Sequence, residues 1–151
     1  MKLSKQGASE ICNKITEQIN NLKTINGNSP YTEFEYIERG LNTLRSDIAE
    51  SVKPAVSNKA IEIITHLITV NNAAVVARKF NTSHQEVYRI VKPALSRMIN
   101  YAELLGKNDN FLKLKENISV KGICENLDET KALLELWSTK KIPLSPLQTL
   151  Q

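Results

Sequence analysis

Residue types that cross-link a chain, bind metals or catalyse reactions are scarce in this 151-residue sequence. It has two cysteines, Cys12 and Cys124, and two histidines, His66 and His84. Neither cysteine has a second Cys or His at the spacing of metal ligands, so we expect no zinc site and no structural disulfide. The sequence predicts free thiols in a reducing compartment and a fold that needs no cofactor.

Motifs of catalysis and of membrane insertion are also absent. There is no glycine-rich phosphate loop, no H-E-x-x-H zinc motif and no nucleophile elbow, and two histidines leave few general bases. No apolar run approaches the roughly 20 residues that cross a bilayer, and the first ten residues lack the apolar core of a signal peptide. We therefore expect a cytoplasmic protein that is not an enzyme and does not enter a membrane.

Apolar residues recur at helical spacing before residue 56. One stripe comprises Ile11, Ile15, Ile19 and Leu22, and a second comprises Phe34, Ile37, Leu41, Leu44 and Ile48. Intervals of three and four are typical of amphipathic helices, so residues 1–56 predict a helical hairpin, with Ser9 as the candidate N-cap of its first helix. The second stripe spans two heptads, which favours packing within the chain over a dimer seam. Gly40 inside it could admit a close neighbour.

Positive charge is concentrated in residues 73–98. This segment contains five basic residues and one acidic residue, Glu86, whereas the remaining 15 basic and 15 acidic residues of the chain cancel. The five are Arg78, Lys79, Arg89, Lys92 and Arg97. The segment therefore carries the whole net charge of +4. Clustered Lys and Arg on a helix are the electrostatic footprint of a protein that binds nucleic-acid phosphates.

The same segment has the residue pattern of two helices joined by a tight turn. In the first helix, the small Ala77 permits a close approach of the second, and Phe80 extends the apolar side. Asn81 follows at the turn, where a left-handed backbone is needed and Gly is more usual. Ser83 and Glu86 have the spacing of a capping box, in which each side chain bonds the backbone N–H of the other residue. The residues expected to pack the second helix onto the first are Val87, Ile90 and Val91.

This pattern resembles the bacterial helix-turn-helix superfamily of transcription regulators. The order of the flanking helices is similar to that of the small regulators of adhesin (pilus) operons and, less closely, of plasmid-borne repressors. The resemblance implies base contacts from His84, Gln85, Tyr88 and Arg89, phosphate or flanking contacts from Ser83 and Lys92, and further positive charge from Arg78, Lys79 and Arg97. Arg89 suits guanine and Gln85 suits adenine, because their hydrogen-bonding groups match those base edges in the major groove.

The segments around this motif also predict helices. Pro93 is expected to end or kink the second helix, because proline lacks the N–H that a helix interior requires, and a third helix would then run to Gly106. A short helix is predicted within residues 107–122 and a stronger one over residues 127–137. The predicted organisation is all-α: a hairpin over 1–56, a helix-turn-helix domain over 57–106, C-terminal helices over 107–138 and a flexible tail over 139–151.

Together these features predict a sequence-specific regulator of transcription that binds double-stranded DNA. One recognition helix contacts too few base pairs for genomic specificity, so we expect a homodimer or a higher oligomer. Two alternatives stay open. The first is a phage or plasmid component for DNA packaging, replication or partition, similar to a small terminase subunit, and ring-shaped oligomers would favour it. The second is a helical module whose basic face binds an acidic protein.

Overall fold

The computed structural model of the chain describes residues 4–26 and 32–138, which form helices and no strand. In chain order the elements are α1 (Lys5–Asn26), α2 (Thr32–Ser51), α3 (Asn58–Val70), α4 (Ala73–Lys79), α5 (His84–Leu104), a 3₁₀ turn (Asn108–Phe111), α6 (Leu112–Glu116), α7 (Val120–Glu125) and α8 (Leu127–Ser138). The predicted all-α class is confirmed over this part of the chain. The tail predicted over residues 139–151 lies outside the described residues.

The first two helices lie against each other as an antiparallel pair. Lys23, late in α1, places its Nζ 3.2 Å from Oε1 of Glu38, early in α2. Further along, Nη1 of Arg45 in α2 donates to Oγ1 of Thr16 in α1 at 2.8 Å. The later residue of α1 thus pairs with the earlier residue of α2 and the earlier with the later, as the predicted hairpin requires.

The start of α1 differs from the sequence-based expectation. The helix begins at Lys5, and the hydroxyl of Ser4 accepts a hydrogen bond from the backbone N–H of Gly7 at 2.9 Å, the bond expected of an N-cap. Ser9, the predicted cap, lies inside the helix. The reason is tertiary, because Ala8 is completely buried and the helix must begin before it to bring it there.

The outward side of α2 remains exposed, against the expectation that its stripe packs within the chain. Ile37 and Leu44 are 48% and 49% exposed, and the neighbouring Tyr36 is 70% exposed. Gly40 lies between them, and a Cβ added there would meet no atom within 4 Å. The rest of the stripe does pack within the chain: Leu41 and Ile48 are half-buried, and Ile48 packs with the fully buried Ala49 in the cluster that contains Cys12 of α1. Part of the predicted stripe is therefore an unpartnered apolar face within the described structure.

Helices α3 to α8 surround one hydrophobic core. Its largest fully buried side chains are Ile63, Ile64, Leu67, Leu95, Met98, Ile99, Leu114, Ile123 and Leu133. These residues come from both sides of Gly106, so the C-terminal helices complete the core around α3, α4 and α5. Ser57 caps α3 by accepting the N–H of Ala60 at 3.2 Å. The long helix α5 contributes along most of its length and is the central element of the molecule.

Pro93 does not end α5, which runs without interruption from His84 to Leu104. The expectation of two separate helices is wrong for a physical reason. Pro93 lies on the exposed side of the helix, where a backbone carbonyl that loses its internal partner can bind water. On the other side, Val91 and Ala94 are buried in the core on either flank of the proline, so packing holds the helix on both sides of it. The helix stops before Gly106, which has φ of 73°, as predicted.

A second, smaller cluster fastens the N-terminal pair to the C-terminal half of α5. Its buried residues are Cys12, Ala49 and Tyr101. The Tyr101 ring meets the ring of Trp137 from α8 edge to face, with centroids 5.3 Å apart. Nζ of Lys53 lies 4.9 Å and 4.4 Å from the centres of these two rings and donates to the Trp137 carbonyl at 3.0 Å. Three parts of the chain therefore meet on one face of α5.

Candidate nucleic-acid interface

The turn between α4 and α5 has the backbone geometry that its residues predict. Asn81 has φ of 54°, in the left-handed region that asparagine tolerates better than other side chains. Its N–H donates to the carbonyl of Arg78 at 3.2 Å, and the N–H of Thr82 donates to that of Ala77 at 2.9 Å. Ala77 is buried, so α4 approaches α5 closely at this small residue. The turn thus sets the direction in which α5 leaves α4.

The first turn of α5 confirms half of the predicted capping box. The Ser83 hydroxyl accepts the N–H of Glu86 at 3.1 Å, so Ser83 is the N-cap. The Glu86 carboxylate does not complete the box, because it accepts two hydrogen bonds from the Arg89 guanidinium instead, one of them from Nε at 2.9 Å. The pairing with Arg89 is stronger than the expected bond to the backbone N–H, because the two charged donors of the guanidinium match both carboxylate oxygens.

Every residue that the sequence analysis assigned to DNA contact is exposed. These residues are Arg78, Lys79, Ser83, His84, Gln85, Tyr88, Arg89, Lys92 and Arg97. Gln85, Tyr88, Arg89 and Lys92 are spaced by three and four, so they share one side of α5, whereas Val87 is fully buried on the other. Tyr88, which could have been a core aromatic, is 47% exposed. The side chains that could read a groove therefore stand together and away from the core.

Arg97 is the exception to this grouping. It follows Arg89 by eight residues, which places it about 12 Å further along the axis and about 80° around it. Its Nη1 donates to the carbonyl of Ala55, in the connection before α3, at 3.4 Å. Arg97 therefore belongs to the side of α5 that faces the N-terminal helices.

The cationic surface comprises α4, the turn and the first three turns of α5, together with one residue that the sequence analysis missed. Lys59, at the start of α3, is exposed and lies near enough to Glu86 to lower the pKa of its carboxyl, although the hydrogen bond from Arg89 is the larger cause. Arg78, Lys79 and Lys92 form no ion pair with any residue that the structure describes. No local pattern marks Lys59, since only the fold brings it beside α5.

The Glu86–Arg89 pair is an internal competitor on this surface. The pair is exposed, with 72% of the Arg89 side chain accessible to solvent, so water and salt screen its attraction. The hydrogen bonds that Arg89 donates to Glu86 nevertheless raise the pKa of Arg89 and lower that of Glu86. A phosphate, which has a higher charge density, or a neutral base edge with two suitably placed acceptors can take the place of this carboxylate.

Metal ligands, membrane-spanning helices or reactive thiols among the described residues would each indicate an alternative function. Among residues 4–26 and 32–138, no group of three or more His, Cys, Asp or Glu side chains is placed to hold a metal ion. None of the helices in these ranges is long and apolar enough to span a membrane. Cys12 is buried and Cys124 half-buried, and burial raises the pKa of both thiols. Their environment therefore disfavours the reactive thiolate form.

Comparison with known proteins adds no relative from which a function could be carried over. No protein-family model matches the chain, and neither the curated proteins nor the solved structures contain a match. A function for this chain is accordingly inferred from its own residues and their arrangement.

Proposed function

We propose that this protein is a sequence-specific regulator of transcription that binds double-stranded DNA through α4, the turn and the N-terminal half of α5. One observation carries the proposal: a surface rich in Lys and Arg, with a single acidic residue, projects from a helical corner whose other side is buried. A helix with exposed polar and cationic side chains fits the major groove, which is about 12 Å wide. Phosphates on either side of the groove would contact the flanking cations.

In this proposal the individual side chains have separate roles. Arg89 and Gln85 read base edges, with His84 and Tyr88 beside them, because these residues lie on the exposed side of the first two turns of α5. Arg78, Lys79 and Lys92 contact phosphates, as does Ser83 at the turn. Lys59 joins this second group, since its charge is near enough to help lower the pKa of the Glu86 carboxyl. Arg97 is left out, because it lies on another side of the helix.

Arg89 has to exchange partners when DNA binds. Its guanidinium leaves Glu86 and binds two acceptors of a guanine, while the freed Glu86 carboxylate stays hydrated. The exchange is inexpensive because the pair is exposed to solvent. A wrong base offers no matching pair of acceptors, so Arg89 keeps Glu86 as its partner there. Glu86 would in this way increase discrimination between sites and reduce non-specific binding.

We further propose that the protein acts as a homo-oligomer. The support is the exposed apolar face on α2, which is formed by Tyr36, Ile37 and Leu44. This face belongs to the N-terminal helix pair, whereas the cationic surface is formed mainly by α4 and α5. Two copies joined there would present two recognition helices to half-sites about one helical turn apart. The same feature fits a component of DNA packaging or replication, which a ring-shaped assembly in mass measurements would indicate instead of a dimer.

The test is binding of the full chain to labelled duplex DNA, measured by fluorescence anisotropy at several salt concentrations. We expect affinity for random duplex that falls steeply with salt, and a selected consensus with two-fold symmetry. Arg89→Ala should weaken binding to that consensus about tenfold or more. Lys92→Gln should weaken binding to all sequences alike and reduce the salt slope by about one.

Lys131→Gln is the matched control, because it removes one exposed positive charge from α8, a helix that contributes no residue to the proposed interface. It should change neither affinity nor salt slope. Circular dichroism of the variants should be unchanged. If the chain shows no affinity for duplex DNA even at low ionic strength, the proposal is wrong, and binding of an acidic protein becomes the better account of the cationic surface.

A further inference from the structure

A cleft of about 300 Å³ lies between α1 and the C-terminal half of α5, on the side of the molecule to which Arg97 points. Six of its polar or aromatic lining residues are Lys5, Ser9 and Asn13 from α1 and Arg97, Asn100 and Tyr101 from α5. The volume is at the lower end of the range found for small-molecule sites. We call it the α1–α5 cleft.

The charge in this cleft is unbalanced toward the positive. Lys5 and Arg97 form no ion pair with any residue that the structure describes. Among the described residues that line the cleft, Glu103 is the only acidic one, and its carboxylate lies 3.0 Å from Nζ of Lys115. Since Lys115 already pairs with Glu103, the cleft offers a ligand two cations that pair with no carboxylate of the described residues.

The remaining lining restricts the kind of anion that fits. Val52, Pro54 and Leu104 form an apolar part of the wall, and the Tyr101 ring adds to it. The hydroxyl of Tyr101 is already used, because it donates to Oε2 of Glu50 at 2.7 Å. The amides of Asn13 and Asn100 remain as neutral donors and acceptors. The wall therefore suits a molecule with an anionic end and a short apolar body.

The Arg97 side chain indicates which anionic group of a ligand the cleft would bind. Its weak bond to the Ala55 carbonyl, 3.4 Å long, uses one of five N–H donors and holds one edge of the guanidinium toward the protein. The other donors stay available, and a planar fork of this kind binds a carboxylate through two parallel bonds. We propose that the α1–α5 cleft is a binding site for a small carboxylate with an apolar body, held by Arg97 and Lys5.

The experiment titrates the full chain with benzoate and with 4-methylpentanoate and follows backbone amide signals by NMR. Two further probes separate the contribution of the charge from that of the apolar body. Benzamide has the same ring as benzoate without the charge, and inorganic phosphate has negative charge without an apolar body. We expect saturable shifts for both carboxylates in the millimolar range, confined to residues around the cleft, and binding at least tenfold weaker for benzamide and phosphate. Equal binding of phosphate, or no saturable response to either carboxylate, would overturn the proposal.

Two variants assign the residues. Arg97→Gln and Lys5→Gln should each weaken benzoate binding about tenfold, and Lys131→Gln, which removes a charge elsewhere, should not weaken it. Two positions are tested so that a folding defect in one does not decide the result. Benzoate affinity unchanged in both variants would refute the assignment.

The carboxylate titrations contain no DNA, so their result is independent of the proposed function. As a separate measurement, Arg97→Gln should cost no more DNA affinity than Lys131→Gln does. A larger loss would assign Arg97 to the DNA surface and not to the cleft.

Discussion

Glu86 is the only acidic residue between Arg78 and Arg97, and its carboxylate holds the guanidinium of Arg89. Backbone geometry does not require this carboxylate, because the Ser83 hydroxyl caps the helix through the backbone N–H of residue 86. The side chain can therefore be changed without loss of the cap. Its consequence is electrostatic: it lowers the positive charge of the proposed DNA surface and occupies the residue best suited to read guanine.

We predict that Glu86→Gln raises affinity for random duplex DNA about three- to tenfold at low salt, because it removes a like charge from beside the phosphates. Specificity, measured as the ratio of consensus to random affinity, should fall. Glu125→Gln is the matched control, since Glu125 also pairs with a cation on its own helix, Lys121, at 3.8 Å. If both variants bind random duplex equally, Glu86 has no role at the interface.

Tyr101 links the stability of the molecule to alkaline pH. Burial raises the pKa of its hydroxyl above the usual value, and the hydrogen bond to Glu50 adds to this effect. The folded state thus favours the protonated phenol, whereas in the unfolded chain the phenol ionises near pH 10. The stabilisation is complete below about pH 10 and is lost as the pH rises above it.

Tyr101→Phe should accordingly lower the unfolding free energy by about 1.5 to 3 kcal/mol at pH 8, the usual contribution of a hydrogen bond to a charged partner. The difference between wild type and variant should shrink as the pH rises above about 10. Urea unfolding at each pH measures it. A difference that stays constant over this range would contradict the assigned cause, and an unchanged stability at pH 8 would show that the bond contributes nothing.

At the scale of elements, α5 performs two tasks along one axis. Its N-terminal half carries the exposed cationic side chains, and its C-terminal half packs against the N-terminal pair and lines the α1–α5 cleft. Continuity through Pro93 joins the two halves in a single helix. Residues on both flanks of the proline are buried in the same core, so packing outweighs the missing hydrogen bond.

The continuity of α5 can be tested at the proline itself. Pro93→Ala should stabilise the protein, by up to about 3 kcal/mol, because alanine restores the backbone N–H and removes the clash with the preceding turn. Ser96→Ala, on the same helix, controls for the helix preference of alanine alone. Thermal unfolding measures both. Destabilisation by Pro93→Ala would show that the native helix depends on a proline kink.

At the scale of the whole molecule, the exposed apolar side chains of α2 form a face that the described chain does not cover. Tyr36, Ile37 and Leu44 surround Gly40, where a Cβ would meet open space. A glycine within a helix costs about 1 kcal/mol relative to alanine. No contact within the described chain compensates for this cost, whereas a helix from a second copy could approach closely there.

We predict that the protein is an oligomer at micromolar concentration and that Leu44→Lys converts it to a monomer, since a charge would be buried at the contact. Gln18→Lys adds the same charge on the exposed side of α1 and should leave the oligomer intact. Light scattering coupled to size exclusion gives the masses, and circular dichroism shows that the variants are folded. A wild-type monomer, or an oligomer that survives Leu44→Lys, would exclude this face as the interface.

Features that depend on neighbouring residues were predictable. The left-handed turn at Asn81, the cap at Ser83, the stop at Gly106 and the buried Ala77 each follow from interactions within a few positions of the chain. The exposed side of α5 was predictable for a related reason, because helical spacing alone separates Arg89 and Lys92 from the buried Val87.

The other features of the fold and of the candidate site depend on contacts between segments that are distant in the sequence. The carboxylate of Glu86 had two possible partners within a turn, and only the placed side chains select Arg89 over the backbone. The sequence predicts that Pro93 ends or kinks the helix, and only the tertiary structure shows that residues on both sides of it are buried in the core. The sequence alone does not show which of the cations Lys59 and Arg97 belongs to the surface proposed to bind DNA. Packing places Lys59 near that surface and places Arg97 in the wall of the α1–α5 cleft. Local backbone preferences specify which helices form. Burial of their apolar faces specifies how the helices pack against each other, and the positions of Lys59 and Arg97 depend on that packing.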